Sequence, residues 1–124
     1  MPLYAMAYWY RCAVCGDDRR LGAIQEVLEV AHIKWHQAGG PDLETNGLAL
    51  CSMHHKLFDR GEFTLDDELQ LCVSQKTNGS TGLSEWLTSF HGLRLKAPQS
   101  QEYLPLNEHL EWHRKEVFHG PARI

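Results

Sequence analysis

Two pairs of metal-ligating residue types stand out in the sequence, Cys12-x-x-Cys15 and Cys51-x-x-His54. Each pair leaves two residues between its donors, a spacing that offers both to one tetrahedral ion. Three thiolates and one imidazole suit Zn2+. Four protein ligands leave no open position, so such an ion would be structural, and its binding free energy would add to folding. The long interval between the pairs exceeds that of a short zinc finger, which places a hairpin between the two knuckles. His55 follows His54 directly. Adjacent residues on a helix point about 100° apart, so His55 is free for a second task. Asp59 lies on the same helix face at i+4, where an imidazole nitrogen and a carboxylate oxygen can share one divalent cation. Upstream, His32 and Asn46 bracket a loop. Cys72, mid-strand in an apolar pattern, reads as a buried thiol.

The elements that must position these residues can be read from the same rows. Residues 1–11 are apolar and aromatic, a short helix or strand. "CAVCGDDRR" is a knuckle turn closed by Gly16. "EVLEVAHI" (26–33) reads as a strand from its β-branched content. "KWHQAGGPDLETNG" (34–47) carries Gly-Gly-Pro-Asp and Asn-Gly and reads as a long loop. "LALC" (48–51) is a second strand, and "SMHHKLFDRG" a short helix with Ser52 as N-cap and Gly61 at its end. "EFTLDDELQLCVSQ" alternates around Asp66-Asp67 as a β-hairpin, with Phe63, Leu65, Leu69, Leu71 and Val73 apolar. Then come a helix over "LSEWLTSFHG", a linker, and a last helix with Leu110, Trp112, Val117 and Phe118 facing inward. The class is α+β, a single domain over 1–124 with its core at about 10–75 and a helical C-terminal extension at about 83–119.

Composition sets the frame. With 43% hydrophobic and 23% charged residues in 124, the chain suits one soluble domain with a modest core. It has no apolar run long enough to span a membrane, and its start lacks the features of a signal peptide. Four cysteines in a reducing cytoplasm, the expected compartment, favour metal binding over disulfides. Net charge is −4, which argues mildly against a stand-alone nucleic-acid binder. Bound cations and partly protonated histidines would offset it, and Lys34, Lys56, Arg60, Arg114, Lys115 and Arg123 can still gather on one side.

The stretches "EVAHI", "TNGLALC" and "HHKLFDRG" together resemble the signature of the HNH endonucleases, carried by His32, Asn46 and His55. The cysteine pairs match the zinc-stapled branch of that family. "AHI-x-W-H", "G-G-P-D" and a late "W-H-R" resemble the nuclease domain at the C-terminus of modification-dependent restriction enzymes, including those acting on phosphorothioated DNA. The likeness covers roughly residues 10–119. It implies a ββα-metal (His-Me finger) core, with the zinc knuckle, an added β-hairpin and C-terminal helices around it. It also implies metal-dependent hydrolysis of DNA within a restriction-type system. In that resemblance His32 is the general base, Asn46 holds the loop that aims it, and His55 and Asp59 bind the catalytic ion. Two protein ligands imply weak binding, with soft preference among Mg2+, Mn2+, Co2+ and Ni2+. One departure matters: many members carry a metal ligand just before the base, where this chain has Ala31. Glu29, two residues earlier on the same strand face, is the candidate replacement, directly or through water, or else an exposed strand carboxylate or a partner of Lys34 or Arg60.

Other residues carry two readings each. Arg60 and Lys56 are candidates for DNA phosphate or for surface ion pairs. His36 either touches DNA or caps the loop. His109 and His113 share an i,i+4 spacing but lack the H-E-x-x-H form; one of them reads as core packing, or His113 and Arg114 approach phosphate. A second function class, a zinc-stapled DNA- or protein-binding module without catalysis, draws on Ala31 and the acidic charge. A third, a redox C-x-x-C protein, is opposed by the second ligand pair. With no evident recognition helix, specificity needs another domain or subunit, and double-strand cutting from one site favours a homodimer.

Overall fold

The computed structural model describes residues 7–22, 24–25 and 27–124. The element expected over 1–11 falls largely outside them, as does Glu26. Strands β1 (Arg20–Leu21) and β2 (Ile24–Gln25) form a short antiparallel ladder. Strands β3 (Leu28–His32) and β4 (Gly47–Cys51) pair antiparallel, with register running from Leu28↔Cys51 to His32↔Gly47. All five residues of β4 are buried, so it reads as a continuous apolar run rather than an alternating one. The expected long loop between them contains two 3-10 turns, His36–Ala38 and Glu44–Asn46.

Helix α1 (Ser52–Asp59) leaves β4 without a connecting residue and completes a ββα unit. Its N-cap is Cys51 and not Ser52: the Cys51 thiol, already turned toward the knuckle, accepts the His54 amide at 3.5 Å. The Ser52 hydroxyl instead donates to Val27 O and Glu29 Oε2. His54 and Phe58, at i,i+4, face the core. The neighbouring face therefore presents His55 and Asp59. The helix stops at Gly61, whose φ of +75° is open to glycine, and whose Cβ would stand 2.1 Å from Val117 O.

Strands β5 (Phe63–Leu65) and β6 (Leu71–Val73) form the expected hairpin, and all five of its apolar positions are buried. Asp66 shapes its turn by accepting the amides of Glu68 and Gln70. Helix α2 (Thr81–Trp86) begins two residues earlier than the sequence suggests. It breaks at Leu87, which buries its side chain at φ −140°, and a 3-10 turn over Thr88–Phe90 follows. Helix α3 (Asn107–Glu116) buries only part of the set expected to face inward. Leu110 is buried, but Trp112, Val117 and Phe118 are half-buried, while His109 and His113 go inside. One contiguous apolar cluster joins Ala13, β3, β4, Phe58 and the hairpin to Leu87, Leu95 and Leu110. No helix among the described residues is long and apolar enough to cross a membrane.

Candidate active site and metal centre

The four knuckle residues converge. Their donor atoms all lie within 4.8 Å of one another. His54 Nδ1 is 3.2 Å from Cys51 Sγ and 3.9 Å from Cys12 Sγ, and the Cys15 and Cys51 sulfurs are 4.0 Å apart. A tetrahedron with zinc–sulfur bonds of about 2.3 Å has edges of roughly 3.8 Å, so the cage has the size and donors that Zn2+ takes. His54 Nε2 donates to Trp86 O at 2.6 Å, which leaves Nδ1 as the lone-pair nitrogen facing the thiols. Cys72 lies outside this cluster and is half-buried, with its thiol near Gln70 O.

On the adjacent face of α1, His55 stands between two carboxylates. Nε2 is 3.1 Å from Asp59 Oδ2, and Nδ1 is 2.8 Å from Glu29 Oε1. Carboxylates only accept, so both ring nitrogens donate. The Asp59 hydrogen bond, opposed by burial and reinforced by Glu29, raises the His55 pKa to about 9. Adjacent ligands on an octahedral ion with bonds of about 2.1 Å are about 3 Å apart, which the His55–Asp59 edge matches. Glu29 meets the opposite edge of the ring, the place of a carboxylate that orients a metal-ligating imidazole. Ala31 is fully buried against the core.

His32 ends β3 and Asn46 closes the loop opposite it. The Asn46 amide, fully buried, accepts from Lys34 N at 2.8 Å and donates to Lys34 O and Pro41 O, both at 3.0 Å. It holds the strand end against the Gly-Gly-Pro-Asp turn. His32 Nε2 lies 2.6 Å from Asp42 Oδ1. An open groove of about 450 Å3 runs along Val30, His32, Trp35, His36, Gln37, His55 and Asp59. The structure thus brings His32, His55, Asp59 and His36 to one wall-to-wall site, with Asn46 and Glu29 behind it.

The other candidates stand elsewhere. Lys56 lines a hollow with Met53 and Trp86 beside the knuckle. Arg60 lines another with Gly61 and His119, its Nε 3.7 Å from Glu62. Arg114 is tied to Leu65 O and Asp67, each at 2.7 Å. His113 does not face solvent: Nε2 donates to Phe58 O at 3.0 Å, Nδ1 accepts from Thr64 at 2.7 Å, and the ring stacks on Phe58 at 3.8 Å. Burial lowers its pKa to about 4, so it is a neutral core histidine. Sequence reasoning gave Asp42 no role, although it closes the Gly-Gly-Pro-Asp stretch that carries part of the family resemblance.

A ββα unit stapled by a Cys3His cage, with a histidine-lined groove beside its helix, defines the class of zinc-stapled ββα-metal domains. Residues 12–66 match the family model described as HNH endonuclease. A solved structure, "Modification dependent TagI restriction endonuclease", is similar to the chain with a TM-score of 0.64 and 23% identity, over 93% of this chain. The likeness spans 36% of that longer chain. No curated protein matches the sequence.

Proposed function

We propose that this chain is a metal-dependent DNA endonuclease that hydrolyses phosphodiester bonds. The observation that carries the reading is the groove in which a strand-end histidine, His32, faces the His55–Asp59 pair on the helix. His32 takes a proton from the attacking water, a task suited to an imidazole. Asn46 keeps the loop around it in place. His55 and Asp59 would hold one divalent ion, Mg2+ or a relative, and Glu29 would orient His55 through Nδ1. Such an ion, when bound, stabilises charge on the scissile phosphate and on the leaving 3′ oxygen. Zn2+ fills the Cys12, Cys15, Cys51 and His54 cage. His36 supplies a phosphate or base contact at the groove. DNA choice is made by a further domain or subunit, in keeping with the short share of the matched structure that this chain spans.

Nicking of supercoiled plasmid tests this. With Mg2+, Mn2+ or Ni2+ the parent should nick, and EDTA should stop it. His32→Ala and Asp59→Ala should each reduce the rate by roughly 100-fold or more. The alternative, a non-catalytic DNA- or protein-binding module, draws on Ala31 and on cations that stand away from the groove. It is favoured if folded, zinc-loaded protein nicks with none of the three metals. Equal cleavage by parent and His32→Ala would remove His32 from the mechanism.

A further inference from the structure

We infer that Asp42 is a positioning residue for His32, and that the Gly-Gly-Pro-Asp turn exists to place it. The inference rests on the nuclease reading above for what His32 does, but not for how it is held.

Asp42 Oδ1 is 2.6 Å from His32 Nε2. A carboxylate accepts only, so Nε2 carries the proton and Nδ1 is left with the lone pair when the ring is neutral. His32 holds the Asp42 carboxyl below its usual range, chiefly through that hydrogen bond, and His36 Nδ1 lies 4.0 Å from the same oxygen. The carboxylate is therefore charged and ready to steady the imidazolium formed after proton transfer.

The turn is built to hold it there. Gly39 sits at φ +88°, and a Cβ on Gly40 would lie 1.8 Å from Lys34 O, so only glycine lets the loop fold back on the strand end. Gly40 N donates to Trp35 O, and Pro41 O accepts from the buried Asn46 amide. Asn46 thus fixes the residue before Asp42, and Asp42 fixes the ring. In the reaction the Nδ1 lone pair takes one proton from water. The water oxygen bonds to phosphorus as the P–O3′ bond breaks and its electron pair leaves on the 3′ oxygen.

The test compares the zinc-loaded parent with Asp42→Ala. Long-range 15N–1H correlations report the neutral tautomer of His32, whose signals are assigned by their loss in His32→Ala. The parent should show the Nε2–H tautomer, and Asp42→Ala a mixture. Nicking with Mn2+ at saturating DNA should fall roughly 10- to 100-fold, with the half-saturating DNA concentration within about twofold of the parent. An unchanged tautomer, or a rate within about twofold, overturns the inference. Failure of the nuclease reading is distinct: a parent that nicks with no metal refutes that reading, and the tautomer still decides whether Asp42 sets the ring.

Discussion

At residue 46 one buried amide satisfies three part-buried backbone groups. Leaving such groups unmet costs about 1–3 kcal/mol each, partly recovered by relaxation. Asn46→Ala should therefore lower stability by about 2–4 kcal/mol in urea unfolding. Asn46→Asp should lose more, because a carboxylate has no donor for Lys34 O and Pro41 O and is charged when buried. An aspartate variant as stable as the parent would show that these bonds are not what holds the loop. Glu29 makes a different kind of contribution. It touches His55 and not the His55–Asp59 edge, so Glu29→Ala should weaken Mn2+ binding roughly 10- to 100-fold in calorimetry while nicking survives at saturating metal. Asp59→Ala should lose both. Loss of nicking by Glu29→Ala at every metal concentration would place Glu29 at the ion itself.

The elements differ in how much of them the sequence discloses, and locality is the reason. Helix α1 was legible because its ligand, core and groove residues repeat within one i,i+4 period. The β5–β6 hairpin was legible because strict alternation leaves one face to bury. The cap was misread by one residue, since Cys51 was weighed as a ligand and not as an acceptor for its own helix. Trp112, Val117 and Phe118 were misread because aromatic and branched residues look like core. His113 earns its burial only from Thr64 and Phe58, distant in sequence. The Gly-Gly-Pro-Asp loop was legible as a turn, and as a support for His32 through Asn46, but the Asp42 contact was not, because it forms only once β3 and β4 are paired. Gly40→Ala tests that support at the level of the element. Its Cβ cannot be accommodated 1.8 Å from Lys34 O. The loop should move and nicking should fall, while the Cys3His cage keeps its zinc stoichiometry. Full activity in Gly40→Ala would show that the loop tolerates the shift. The Cys3His cage is another joint: with zinc in it, as proposed, a strong chelator should part the Cys12–Cys15 turn from β4 and α1, and the thermal transition should drop and broaden.

Across the whole molecule, the C-terminal helix belongs to the same core as the ββα unit, because Leu110 and His113 fill the space over Phe58 and the hairpin. A chain ended after residue 105 exposes Phe58 O and Thr64 and should lose its near-UV circular dichroism, even with zinc present. The same joint carries a pH dependence whose sign follows from burial. His113 has a folded pKa of about 4 against an ordinary 6.5. Between those values the unfolded chain binds a proton that the folded chain excludes, so stability falls as pH falls from 6.5 toward 4. Below that window this residue adds no further loss. The slope is about 1.4 kcal/mol per pH unit, so the step from pH 6.5 to 5 should cost about 2 kcal/mol through His113 alone. Protonation of the zinc ligands also destabilises the fold in acid, and it is common to parent and variant. His113→Gln, which does not titrate, isolates the difference. Its stability at pH 7 should be lower than the parent's, and the gap should narrow by about 2 kcal/mol at pH 5. A gap that stays constant with pH would mean that His113 takes up its proton inside the folded core, and that burial does not keep it neutral.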